Sequence, residues 1–92
     1  MTSRSVTITN PLGLHARAAA RFVRTATRFE SRVRVTRDAK VMDGKSIMGI
    51  LLLAAGRGSI ITISAEGHDE AAAVEALCQL VQSDFGEEPC ST

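Results

Sequence analysis

The chain has 92 residues, 45% of them hydrophobic and 3% aromatic; the length fits one domain, and the composition excludes general disorder and argues against functions built on base stacking or aromatic cages. No apolar run approaches the ~20 residues of a membrane span; the longest is Ile50 to Ala55. The formal net charge of +1 is divided, with eleven bases and three acids up to Gly58 (+8) and seven acids without a base after it (−7), which reads either as solvated faces or as a field that steers a charged partner.

Ser5 to Thr9 alternates polar and apolar side chains, the pattern of a half-buried strand. Asn10-Pro11-Leu12-Gly13 is a turn. Ala16, Ala19, Ala20, Val23 and Ala26 then recur at helical spacing, with Arg17, Arg21, Arg24 and Arg28 mostly on other faces, so a helix should start near His15 and fade by Arg28. Arg32 to Thr36 alternates again, Arg37-Asp38-Ala39 suggests a hairpin turn, and Lys40-Val41-Met42 a short strand. Ser46 precedes a second helix, Ile47 to about Ala55, with Gly56 and Gly58 as stop signals. Ser59 to Ala65 is the clearest strand, with Ile61, Ile63 and Ala65 on one face. Asp69 reads as the N-cap of a last helix whose Ala73, Val74, Leu77, Leu80 and Val81 form one apolar stripe. The order βαββαβα predicts an α+β fold, a two-layer sandwich with helices on one face of an antiparallel sheet. A single domain is expected over 1–92, with its core over about 4–85 and a flexible tail from Gly86.

Cys78 and Cys90 lack CxxC spacing, and His15 and His68 stand far apart without ligand partners, so neither a metal centre nor a disulfide scaffold is expected. Residues Met1 to Ser5 lack the apolar stretch of a signal peptide, and a reducing, cytoplasmic compartment is expected. His68 follows Gly67 and reads as an exposed turn residue.

Gly13-Leu14-His15-Ala16-Arg17 carries the chemistry. A histidine at the mouth of a helix lies where unpaired backbone N–H groups point outward. That positive end disfavours an imidazolium, and only the neutral ring has a lone pair for attack on phosphorus. The anion so formed would face the helix N-terminus, within reach of the Arg17 guanidinium fork. The plainer alternative is that His15 caps the helix and Arg17 is surface charge. Ala39 to Ser46 fits a relaxed nucleotide-binding pattern, A-x-x-x-x-G-K-S, but its interior is strand-like and not glycine-rich, so that reading is rejected. Ser46 is suited to cap the second helix.

Gly13-Leu14-His15-Ala16-Arg17-Ala18-Ala19 resembles the active-site signature of the HPr family, the histidine-containing phosphocarriers of the bacterial phosphotransferase system. Lys45-Ser46-Ile47-Met48-Gly49 resembles that family's regulatory-serine segment, and Ile61 to Gly67 its last strand and following turn. The resemblance runs from about Val6 to about Val81. It implies an open-faced sandwich: a four-stranded antiparallel sheet with three helices on one face. It implies that His15 is phosphorylated on Nδ1 by phosphoenolpyruvate-charged Enzyme I and passes the group to IIA domains, with Arg17 as phosphate partner. Ser46 would be the site of HPr kinase/phosphorylase. Such a protein is a monomeric carrier turned over by other enzymes, without a cofactor, rather than an independent catalyst. Since the family's second helix lies beside the active-site loop, Ile47, Met48 and Leu51 would dock partners, together with Ala20, Arg21 and Arg24, although Leu51 could equally fill the core. The family usually has Pro where this chain has Ala18; alanine is a strong helix former, so the helix should persist. Two alternatives stand beside this reading. One is a regulatory phosphocarrier of a nitrogen-related or incomplete phosphotransferase chain. The other is a small RNA-binding module, which the absence of aromatics from the predicted strands disfavours. Neither nucleic acid nor membrane is expected as a partner.

Overall fold

The computed structural model describes residues 1–86 of the chain. Its alternating segments form strands β1 (Thr2–Thr7), β2 (Arg32–Arg37), β3 (Lys40–Asp43) and β4 (Ile60–Glu66). They pair antiparallel in the order β1-β4-β2-β3. Helices α1 (Ala16–Ala26), α2 (Ile47–Leu52) and α3 (Glu70–Gln82) follow the helical patterns, and a 3-10 turn, Asp84–Gly86, ends the described chain. The register sets Val6 opposite Ile61, Val33 opposite Ala65 and Val35 opposite Ile63. All six are buried on the face that the helices cover. The other face carries hydroxyls, with Ser3 3.0 Å from Ser64 and Ser5 3.0 Å from Thr62. This is the open-faced βαββαβα sandwich that the sequence predicts. The strands carry no aromatic residue.

Four elements depart from the local patterns, each for a tertiary reason. β1 starts at Thr2 rather than Ser5, because its pairing with β4 extends to Ala65. Its first residue is tied down: the Thr2 hydroxyl donates to Glu70 (2.6 Å) and the terminal ammonium lies 3.1 Å from the same carboxylate. On α1 the fully buried residues are Ala18, Ala19, Phe22 and Ala26, whereas Ala16 is exposed and Ala20 and Val23 are half-buried. The helix turns its one aromatic side chain, Phe22, to the core, and the alanines around it accept either phase. α2 stops at Leu52, short of the expected Ala55, and the left-handed residue that ends it is Ala54 (φ 51°), not a glycine.

Asp69 stands at the start of α3, but its carboxylate makes no capping bond. It instead accepts the amides of Glu30 and Ser31 (both 2.9 Å) and the Ser31 hydroxyl, pinning the segment that enters β2. The Ser31 hydroxyl is the main cause holding the Asp69 carboxyl down at about 2. Beside it His68, exposed as expected, lies 3.3 Å from Glu30. The α3 stripe is buried except for Leu80, which is half-buried, and Cys78 joins it. Phe85 is fully buried in a left-handed conformation (φ 59°), so the core reaches residue 85. The expected tail, apart from Gly86, lies outside the described residues. Among them no helix is long and apolar enough to cross a membrane.

Candidate functional site

His15 is the N-cap of α1. Its backbone is extended (φ −78°, ψ 178°) and its carbonyl accepts the first helical bond, from the Ala19 amide at 2.8 Å. Its Nδ1 accepts from the Arg17 amide at 3.3 Å. As the acceptor in this contact, Nδ1 presents its lone pair to the helix N-terminus. The first turn of α1 contains no acidic residue, and Arg17 is exposed within it. An accepting ring nitrogen, the first-turn amides and an exposed arginine thus belong to one helix mouth, an arrangement able to hold an anion. Ala18 is fully buried and α1 runs unbroken through it, as its helix propensity predicts.

The loop before His15 is held by its own backbone and by the segment after α2. Asn10, fully buried, accepts the Gly13 amide on its backbone carbonyl (3.1 Å) and donates from its side-chain Nδ2 to the Gly13 carbonyl (2.8 Å). The Leu14 amide donates to the Ala55 carbonyl at 2.9 Å, and the Leu14 side chain is buried. Gly13 is left-handed (φ 64°), and a Cβ there would lie 2.6 Å from the Ala55 oxygen and 2.7 Å from the Gly56 Cα. The sequence marks Asn10 only as a turn residue; its role follows from bonds within the loop that spacing does not reveal.

Ser46 caps α2 as expected, its hydroxyl accepting from the Gly49 amide at 3.1 Å. Ala39 to Ser46 forms the end of the β2–β3 hairpin, strand β3 and a turn, which agrees with rejecting the nucleotide-binding pattern. Of the expected docking residues, Met48 is 68% exposed and Ile47 46%, and Arg24 is also exposed. Leu51 and Ala20 are half-buried, Leu51 against the core. Arg21 is partly engaged, donating to the Phe85 carbonyl at 2.6 Å. Two exposed apolar residues that the sequence reading did not single out belong to the same segments: Leu12, at 70%, in the His15 loop, and Leu52, at 56%, on α2.

Comparison with known proteins gives one family throughout. The family model for the PTS HPr component phosphorylation site matches residues 2–83. The phosphocarrier protein HPr of Neisseria meningitidis serogroup A is 47% identical over 87 residues, covering 95% of this chain and 98% of that protein. The crystal structure of HPr-C-His from Thermoanaerobacter tengcongensis superposes with a TM-score of 0.92 at 47% identity, covering 97% of this chain and all of that one. The Bacillus subtilis catabolite repression protein Crh, described as a dimer with a swapping domain, gives a TM-score of 0.74 at 42% identity, with 91% and 97% of the two chains covered.

Proposed function

The chain belongs to the HPr family of phosphocarriers of the phosphotransferase system, and on that premise we propose that His15 accepts a phosphoryl group from phosphoenolpyruvate-charged Enzyme I and passes it to IIA domains. The observation that carries this reading is the contact between Nδ1 and the Arg17 amide. The lone pair that caps the helix is the one that attacks phosphorus. A bond from Nδ1 to phosphorus forms as the bond from phosphorus to the donor's leaving atom breaks. In the tautomer that accepts from the Arg17 amide the ring proton sits on Nε2, so none has to leave Nδ1. The oxygens of the transferred group then take over as acceptors for the first-turn amides, and Arg17 supplies charge-assisted donors from the side. Such a step is positioning and electrostatics rather than acid–base work.

Ser46 is, in this reading, the regulatory site for HPr kinase/phosphorylase. A phosphate at a helix N-terminus is electrostatically tolerated, so it would act on docking rather than by melting α2. Mass spectrometry after parallel incubations tests both assignments. With Enzyme I and phosphoenolpyruvate, one acid-labile phosphate on His15 is expected, and its absence overturns the carrier reading. With the kinase and ATP, one acid-stable phosphate on Ser46 is expected; failure to label, or equal labelling of Ser46→Ala, removes the regulatory assignment.

Partners dock, on this proposal, against Ile47 and Met48 with Leu51 and Ala20 behind them, and Arg17, Arg21 and Arg24 rim the patch. A flexible methionine suits a surface that meets several partners. Met48→Asp is expected to weaken Enzyme I binding by about tenfold or more, the scale of a buried interface anchor; calorimetric affinity equal to wild type would discard the patch. The chain is read as a cytoplasmic, single-domain monomer, and light scattering at the dimer mass would overturn the last of these.

A further inference from the structure

Helix α2 ends in an unusual way. Leu53 closes it at φ −64°, and Ala54 then turns left-handed at φ 51°. An alanine resists that conformation, because its Cβ crowds the following carbonyl. The carbonyls freed at this end are met by side chains from the distant β2–β3 hairpin. Arg37 donates from Nη1 to the carbonyls of Leu53 (3.0 Å) and Ala54 (3.3 Å), and Lys40 donates from Nζ to that of Leu52 (3.4 Å). Arg37 and Lys40 face each other as the last pair of the hairpin, with Asp38 left-handed between them (φ 54°).

What Ala54 aims is the next carbonyl. Ala55 is buried, and its oxygen accepts from the Leu14 amide at 2.9 Å, one residue before His15. That oxygen is also the atom against which Gly13 is fitted. Hydrogen bonds at either end of one strained residue therefore link the hairpin to the Leu14 amide, one residue before His15. We propose that Arg37 is a positioning residue for His15: by holding the carbonyls of Leu53 and Ala54 it keeps Ala54 left-handed, and so directs the Ala55 carbonyl to the amide of Leu14, the residue before His15. The consequence for phosphoryl transfer rests on His15 being the acceptor. Lys40 has the lesser part, with one longer, exposed bond.

Arg37→Met keeps the aliphatic stem and removes the donors. Amide hydrogen exchange by NMR should show Leu14 exchanging about tenfold faster in this variant and Ile63, in the sheet core, changing less than about twofold. The initial rate of His15 phosphorylation should fall about fivefold, as expected of a misaimed nucleophile. Ala54→Gly in the Arg37→Met background supplies a residue that holds a positive φ without strain, and should return both readouts to within about twofold of wild type. Unchanged Leu14 exchange overturns the proposal. So does equal acceleration at Leu14 and Ile63, the mark of general destabilisation, or a failure of Ala54→Gly to restore Leu14. Should Arg37→Met not fold, Arg37→Lys carries the same test: a single ammonium in place of the fork should speed Leu14 exchange about threefold, and exchange equal to wild type overturns the proposal. The exchange measurement needs no phosphoryl donor. A wild-type chain that takes no phosphate would therefore sink the acceptor reading while leaving the Arg37 link to be judged by exchange.

Discussion

His15→Ala is expected to take up no acid-labile phosphate at all, and His15→Asn is expected to behave the same way while folding better. The two variants separate the jobs done by one atom. Nδ1 is both the cap acceptor for the Arg17 amide and the proposed nucleophile. Alanine removes both and should cost about 1 kcal/mol of stability, the usual worth of a helix N-cap. Asparagine is among the best capping residues, so its carbonyl oxygen can take the amide while offering no nucleophile for phosphorus. Thermal unfolding and phosphate uptake measured on the same samples give the answer. Phosphate on either variant would remove His15 as the acceptor, and equal stability of the two would remove it as a cap.

Gly13→Ala should damage both fold and function. At φ 64° an alanine is strained before any contact is considered, by roughly 1–2 kcal/mol. The added Cβ then falls 2.6 Å from the Ala55 oxygen and 2.7 Å from the Gly56 Cα. Both are backbone atoms, so no side chain can swing aside. Relief requires the His15 loop to part from the chain after α2, which breaks the bond from Leu14 to Ala55. The expected loss is about 2–4 kcal/mol, read as a shift in urea midpoint at constant slope. Phosphate acceptance should slow by on the order of 100-fold, because a displacement near 1 Å suffices for that. Gly56→Ala is the control: a Cβ there meets nothing within 4 Å, and the change should stay within about 0.5 kcal/mol. A Gly13→Ala chain as stable as the control, with an unaltered rate, would refute the fitted loop.

The parts of this molecule that were legible in the sequence are those fixed by neighbours in the chain. Ile61, Ile63 and Ala65 declare their face because strand side chains alternate, whatever the partner strand. His15 and Ser46 declare their capping positions because a cap acts within three residues. The phase of α1 was less legible, since alanines on several faces leave the stripe ambiguous until Phe22 is seen to be buried. The end of α2 is not legible locally: Ala54 takes the left-handed turn ahead of the glycines, and the carbonyls there meet Arg37 and Lys40, more than ten residues away. Asp69 is legible as the N-cap position of α3, but not its bonds: its carboxylate takes the donors of Glu30 and Ser31, distant in the chain, and makes no capping bond.

The divided charge of the sequence takes a different form once the chain is folded. Several acids of the last third meet the first part of the chain: Glu70 the terminal ammonium, Glu75 the Arg4 guanidinium at 3.0 Å, and Glu66 stands in register with Arg32. On the open face of the sheet, the Ser3–Ser64 and Ser5–Thr62 hydroxyls likewise satisfy one another. The charges of that face stand in opposite-sign register, Arg32 across from Glu66 and Arg34 across from Asp43. α1, with three arginines and no acid, has no such neutralisation within its own length. An acidic visitor would be turned toward the helical side before it touches the molecule, and salt would blunt that turning more than it would weaken the final complex.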